Sequence, residues 1–334
     1  MNYVLISPVR DEEALIGHTL KSVCAQSVVP TRWIIVDNGS TDRTADIVLD
    51  YAKRFPWIEL VRHETSADRS FAAKARAFGA GLARTRCLDF EIIGNLDGDV
   101  SFESDYLAFL MRKFAEDSSL GVAGTPFLED GYDSARDSFE GVHHVAGGVQ
   151  MFRRQCFEEV GGYVPNYAGG IDWIAVTSAR MKGWKTRSFP ERRFIHYRTV
   201  GTATRSTLAA FFSYGEKDYY LGGAPLWQLC RVCYRTLKRP FILGGLAVAL
   251  GYFWAALRRT PRAVSPDLMR FHRAEQRTKL KAIASALVLL KKLRPSHPEG
   301  GKATTTVIAL AIRCAAELDA LSTLGGLLES FGLT

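Results

Sequence analysis

Two aspartates one residue apart close a short apolar run: Asp97 and Asp99 lie at the end of Ile92–Val100, IIGNLDGDV. Along an extended backbone, side chains i and i+2 share a face, so both carboxylates can meet one cation. Hard divalent cations bind through one or two carboxylates together with substrate phosphates. The chemistry this spacing would serve is a metal and diphosphate site, and a plain Asp-Gly turn is the alternative. Two further polar clusters carry acids, Pro8–Glu12 (PVRDE) and Asp37–Asp42 (DNGSTD).

The elements that would position these groups are short and alternate in type. Tyr3–Ser7, Trp33–Val36, Ile58–Val61 and Glu91–Leu96 read as buried strands. Between them, Leu15, Ile16, Leu20 and Val23 have helical spacing behind an acidic Asp11–Glu13 first turn. Ala45–Tyr51 reads as a helix capped by Thr41 or Asp42, and the Ala-rich Phe71–Leu82 as another, carrying Lys74 and Arg76. Strand–helix alternation implies an α/β fold with a mostly parallel sheet flanked by helices. Ligands bind such sheets beyond the carboxyl ends of the strands, and all three polar clusters fall there.

The segments ISPVRDEEALI, IIVDNGSTDRT and NLDGDV, in this order and spacing, resemble the nucleotide-binding half of the family 2 inverting glycosyltransferases of GT-A fold. The likeness continues through GGVQMFRRQCFEEVGGYVP (147–165), GGIDWIAVTSARMKGWK (169–185) and FPERRFIHYR (189–198). The resemblance implies a GT-A domain over residues 1–205, its nucleotide half 1–100 and its acceptor half 101–205. It implies that Pro8, Arg10, Glu12 and Asp37 serve the nucleotide. Asp97 would contact the ribose or metal shell, and Asp99 would ligate Mg²⁺ or Mn²⁺. Lys74 and Arg76 would either meet phosphate or form a solvated helix face.

Asp172 resembles the family's catalytic base. The family pattern has two adjacent acids opening a helix, and this chain has Ile171-Asp172-Trp173, so only the second is kept. An Asp at a helix start also serves as a cap. Trp173 would either stack on the acceptor sugar or pack into the core. His196 could complete the metal shell, an arrangement that suits Mn²⁺ better than Mg²⁺. Arg198 could bind diphosphate oxygens bidentately.

The net charge of +8 is uneven. Arg231–Arg294 holds 15 Lys/Arg against Asp267 and Glu275, a net of +13, which leaves the rest about 5 charges negative. Within it lies a charge-free run of 17 residues, Phe241–Leu257, closed by Arg258, Arg259 and Arg262. At 1.5 Å per residue such a helix is about 25 Å long, at the bottom of the spanning range. Basic flanks on both sides suit a helix lying in an anionic interface better than a simple crossing. Residues 206–294 are therefore expected to be a basic, apolar helical region at a membrane. Nucleic acid fits less well, because an apolar run sits among the charges. Pro295–Gly301 reads as a linker, and 295–334 as that linker with terminal helices.

The six cysteines show no disulfide framework, and Cys230-x-x-Cys233 reads as helical core. Reduced thiols suit a cytosolic face, and the N-terminus enters a strand directly, so no signal peptide is expected. The combined expectation is a metal-dependent inverting transferase at the cytoplasmic face of the membrane. Its donor would be a UDP- or GDP-linked sugar, its acceptor a lipid-linked saccharide, polyprenyl phosphate or polysaccharide. The competing reading is an inactive GT-A-like module that binds nucleotide or polysaccharide. A nucleotidyltransferase is disfavoured because Ser7–Leu15 is acidic rather than Gly-rich and basic.

Overall fold

The computed structural model describes residues 1–63, 70–137, 141–166, 168–198, 207–236 and 240–292. The expected linker and helices over 295–334 lie outside them. The chain divides into two compact units, residues 1–137 with 143–203 and residues 138–142 with 204–334.

The first unit begins β1 (Tyr3–Val9), α1 (Ile16–Cys24), β2 (Arg32–Asp37), α2 (Thr44–Arg54), β3 (Ile58–Arg62), α3 (Phe71–Ala83) and β4 (Ile92–Leu96). It continues β5 (Val100–Ser101), α4 (Tyr106–Glu116), β6 (Leu120–Gly124), β7 (Phe127–Glu129), β8 (Tyr132–Asp133) and α5 (Ser134–Asp137). It ends β9 (Val149–Arg153), α6 (Arg154–Val160), α7 (Ile171–Met181), β10 (Lys185–Ser188) and β11 (Phe194–His196). Seven strands form one sheet in the order β10-β6-β9-β4-β1-β2-β3, in which only β9 runs antiparallel to its neighbours. A second sheet has the order β5-β11-β7-β8.

The central strands are buried on both faces, which is why they read as continuous apolar runs. α1 turns Ile16, Leu20 and Val23 inward, as its spacing requires. α3 is Ala-rich because it sits close on the sheet: a Cβ on Gly81 would come within 2.6 Å of Ile6 and 3.0 Å of Val36. Ser70 caps it, its hydroxyl oxygen accepting the Ala73 N–H at 3.2 Å. This close seat carries Lys74 to the carboxyl end of β4.

Two helix starts differ from the sequence expectation. α1 begins at Ile16, beyond the acids, and the Glu12 carbonyl accepts the N–H groups of Leu15 and Ile16. The Glu12 side chain is thereby released for an ion pair. For α2 the serving side chain is Asp42, not Thr41: its Oδ1 accepts the Thr44 N–H at 2.9 Å, although Arg43 occupies the cap position.

The second unit, by itself, contains α8 (Thr207–Tyr220), α9 (Pro225–Thr236), α10 (Leu243–Leu257) and α11 (Pro266–Lys292). The glycines of the apolar run are contact points. A Cβ on Gly251 would overlap the Phe212 carbonyl of α8, and one on Gly245 would overlap Thr236 of α9. Cys230 and Cys233 are helical as expected, but Cys233 is exposed, so the pair is not core. Among the described residues no helix is long and apolar enough to cross a membrane.

Candidate active site

The parallel register of β1 with β2 sets Pro8 beside Val36 and Val9 beside Asp37. β4 lies on the other side of β1 and delivers Asp97. These strand ends open onto a cavity of about 290 Å³ lined by Pro8, Arg10, Glu12, Asn38, Lys74 and Asp97, with Gly98, Asp99 and Arg198 among others. The three polar clusters of the sequence do converge. Gly98 is close-packed rather than a hairpin residue: a Cβ there would stand 3.0 Å from Val9 and 3.3 Å from Ile16.

Asp97 is fixed on three sides. Its Oδ1 accepts from Lys74 Nζ at 2.6 Å and from Asn95 Nδ2 at 3.2 Å, and its backbone N–H donates to the Gly148 carbonyl at 2.9 Å. The small sheet fixes Asp99. β11 pairs antiparallel with β5, setting His196 opposite Val100, and the Tyr197 N–H donates to the Asp99 carbonyl at 2.9 Å. The Thr19 hydroxyl on α1 donates to the Val100 carbonyl at 2.8 Å and accepts the Val100 N–H at 3.0 Å, which clamps β5 in place.

Asp97, Asp99 and His196 each offer a ligand atom, and these atoms lie within 4.8 Å of one another. His196 Nε2 is 3.6 Å from Asp99 Oδ1. Burial, followed by the charge of Asp97, holds the Asp99 carboxyl above its usual range, against the opposing pull of His196, Arg198 and Lys74. Burial alone would lower the Lys74 amine; Asp97 first, then Asp172 and Asp99, more than offset this and raise it. Two carboxylates and an imidazole gathered around an Asp99 whose charge is disfavoured by burial and by Asp97 fit a divalent cation, which would add positive charge beside it.

Asp172 lies in the first turn of α7, whose cap is Gly170 at φ 74°, and the helix has no side-chain cap bond. The cap position is thus taken by Gly170 and not by Asp172. Asp172 abuts Gly147, where a Cβ would stand 3.0 Å from its Oδ2, and Asn95 Nδ2 donates to the Gly147 carbonyl at 2.6 Å. Through Gly147 and Asn95 the Asp172 carboxylate neighbours Asp97. It also acts with Asp97, behind the larger effect of burial, to raise the Tyr163 phenol. Ile171, in the place of the family's first acid, is buried.

The other expected site residues have partners of their own or lie off the cavity. Arg198 lines the cavity, but its guanidinium is engaged bidentately by Glu12, Nη1 to Oε1 and Nη2 to Oε2, both at 2.8 Å. Asp37 is buried and its Oδ1 accepts the Ser40 N–H at 2.9 Å, so it shapes its loop while Asn38 faces the cavity. Trp173 is 7 % exposed, so its ring is packed rather than offered to a sugar. Arg76, two residues beyond Lys74, is not among the residues lining the cavity. The sequence reading missed Asn95 and Glu129. Asn95 stood inside the quoted motif, whereas Glu129 falls in a strand of three residues with no periodic signal.

Residues 4–136 match the family model described as glycosyl transferase family 2. The chain is 26 % identical over 180 residues to the beta-monoglucosyldiacylglycerol synthase of Synechocystis sp., covering 48 % of this chain and 36 % of that protein. It is 22 % identical over 200 residues to the poly-beta-1,6-N-acetyl-D-glucosamine synthase of Staphylococcus epidermidis, covering 54 % and 44 %. The chain thus spans less than half the length of either relative. In fold it is similar to a mannosyltransferase from Pyrobaculum calidifontis solved with GDP-Man and Mn²⁺, with a TM-score of 0.51, 21 % identity and coverage of 96 % and 87 %. The matched segment holds β1 to β4 and the Asp97-Gly98-Asp99 turn, so residues 4–136 are similar to a glycosyl transferase family 2 domain, and the fold is of GT-A type.

Proposed function

We propose that this chain is a metal-dependent, inverting glycosyltransferase using a UDP- or GDP-linked sugar. Its acceptor would be a lipid-linked saccharide, polyprenyl phosphate or polysaccharide. The observation that carries the reading is the meeting of the Asp97–Asp99–His196 cluster with the cavity at the strand ends, with Asp172 beside it. Asp97, Asp99 and His196 would hold Mn²⁺ or Mg²⁺, which offsets the charge of the leaving nucleoside diphosphate. Asp172 takes the proton of the acceptor hydroxyl as that oxygen bonds to the anomeric carbon. The bond from that carbon to the diphosphate oxygen breaks on the opposite face, which inverts the configuration. Arg10, Lys74 and Arg198 are cations that line the same cavity and could meet the diphosphate oxygens.

The lipid side of the reading draws on α10. Leu246, Leu250 and Leu257 are 51, 55 and 76 % exposed, and Leu243, Phe253 and Trp254 continue the same uncharged surface. Exposed Arg258 and Arg259 follow it, with Arg258 over the Trp254 ring at 4.6 Å. A helix with an apolar outer face and an arginine border complements an anionic bilayer at its interface. We place the protein at the cytoplasmic face of the membrane, attached peripherally or monotopically.

The test is a screen of UDP- and GDP-sugars for Mn²⁺- or Mg²⁺-dependent nucleoside diphosphate release, with and without lipid extract. The wild-type chain should turn over one donor and lose activity on chelation. Asp172→Asn should cut turnover by about 10²-fold or more while donor binding persists. The inactive-module reading is favoured by the buried Ile171 in place of an acid. Donor binding without turnover for every acceptor tried would establish it instead.

A further inference from the structure

The small sheet assembles a line of three side chains. β11 runs parallel to β7 with Phe194 beside Phe127 and Ile195 beside Leu128, so the next step sets His196 by Glu129. On its other side β11 meets β5, immediately after Asp99. His196 Nδ1 is 3.3 Å from Glu129 Oε2, and His196 Nε2 is 3.6 Å from Asp99 Oδ1. Side-chain exposure is 8 % for Glu129, 12 % for His196 and 9 % for Asp99, and the Phe127 ring lies against the imidazole at 5.9 Å.

A neutral imidazole carries one N–H, and a buried carboxylate beside one ring nitrogen fixes the proton there. With the proton on Nδ1 facing Glu129, the Nε2 lone pair points to the space shared with Asp97 and Asp99. Carboxylate partners of this kind orient metal-bound histidines and raise their basicity.

We propose that Glu129 is a positioning residue. It holds the His196 imidazole so that Nε2 serves as the nitrogen ligand of the divalent-cation site. The short strands β7 and β11 would then exist in their present pairing to deliver this carboxylate–imidazole pair to the Asp97–Asp99 turn. The proposal rests on the metal reading above and makes a claim about residues the family domain match, 4–136, covers only in part.

The experiment titrates Mn²⁺ into the full chain by electron paramagnetic resonance, for wild type, Glu129→Gln, His196→Ala and the double variant. A spin-echo measurement on the bound ion accompanies it. Wild type should show a directly coordinated nitrogen. Glu129→Gln should weaken Mn²⁺ by about tenfold or more. His196→Ala should lose the nitrogen signal, and adding Glu129→Gln to it should cost little further. Wild-type Mn²⁺ without nitrogen coupling overturns the proposal, and the spectrum decides this even if the variants do not fold. Equal Mn²⁺ affinity in wild type and Glu129→Gln, or losses that simply add in the double variant, overturns it while leaving the metal site standing. A wild-type chain that binds no Mn²⁺ sinks the metal reading itself.

Discussion

The two units depart from the rule of apolar inside and polar outside in opposite senses. The first gathers buried charge: Glu12, Asp99 and Glu129 are all buried, and they face Arg198 and His196. The second leaves hydrocarbon in the open along α10, where Leu257 is 76 % exposed. Both departures cost folding free energy, which a bound ligand would offset. Under the proposed function that ligand would be a cation with a diphosphate for the first unit and a lipid surface for the second. The substitution that should help one unit, removing charge, is the reverse of the one that should harm the other, adding it.

The largest effect is expected on α10. Changing Leu246 and Leu250 together to Glu should lower binding to vesicles of phosphatidylglycerol and phosphatidylcholine by about 10²-fold or more, because each leucine loses roughly 1.5–3 kcal/mol of burial. Nucleoside diphosphate release with a water-soluble acceptor should stay as in wild type. Vesicle flotation of the double variant equal to wild type would end the membrane reading and leave the catalytic one untouched.

A smaller effect of opposite sign is expected at Asp99. Its folded-state carboxyl is held above the unfolded value, so the ionised form weakens the metal-free fold above that folded value. The penalty is relieved as pH falls through the folded value and is gone below the unfolded one. Asp99→Asn should therefore unfold at a higher temperature than wild type near neutral pH without metal, and the gap should close on acidification. Added Mn²⁺ should stabilise wild type but not the variant. A variant less stable than wild type without metal would mean that the carboxylate is a structural partner and not a waiting ligand.

The sequence carried the first unit's strands and helices because each long strand is apolar and each helix has its own period. Arg10, Glu12, Asp97 and Asp99 were legible as polar groups at strand ends for the same reason. What stayed hidden comes from pairing across distance. No local signal joins Arg198 to Glu12, separated by 186 residues, or Glu129 to His196, separated by 67. Strands of two or three residues such as β5, β7 and β11 are too short to show alternation. Asp172 was readable as an acid opening a helix, but only the glycine at 170 shows that it is not the cap. In the second unit the apolar run was plain. Which of its residues pack on α8 and which stay open depends on the glycine contacts of the folded helices.

Calorimetric titration of UDP and GDP into wild type and Asp99→Asn, each with and without Mn²⁺, tests the central claim most directly. One nucleotide should bind wild type at least tenfold more tightly with Mn²⁺ than without it, and Asp99→Asn should lose that gain while keeping the metal-free affinity. Equal affinity with and without the metal in wild type, or an undiminished gain in Asp99→Asn, would contradict a cation held at Asp97–Asp99–His196.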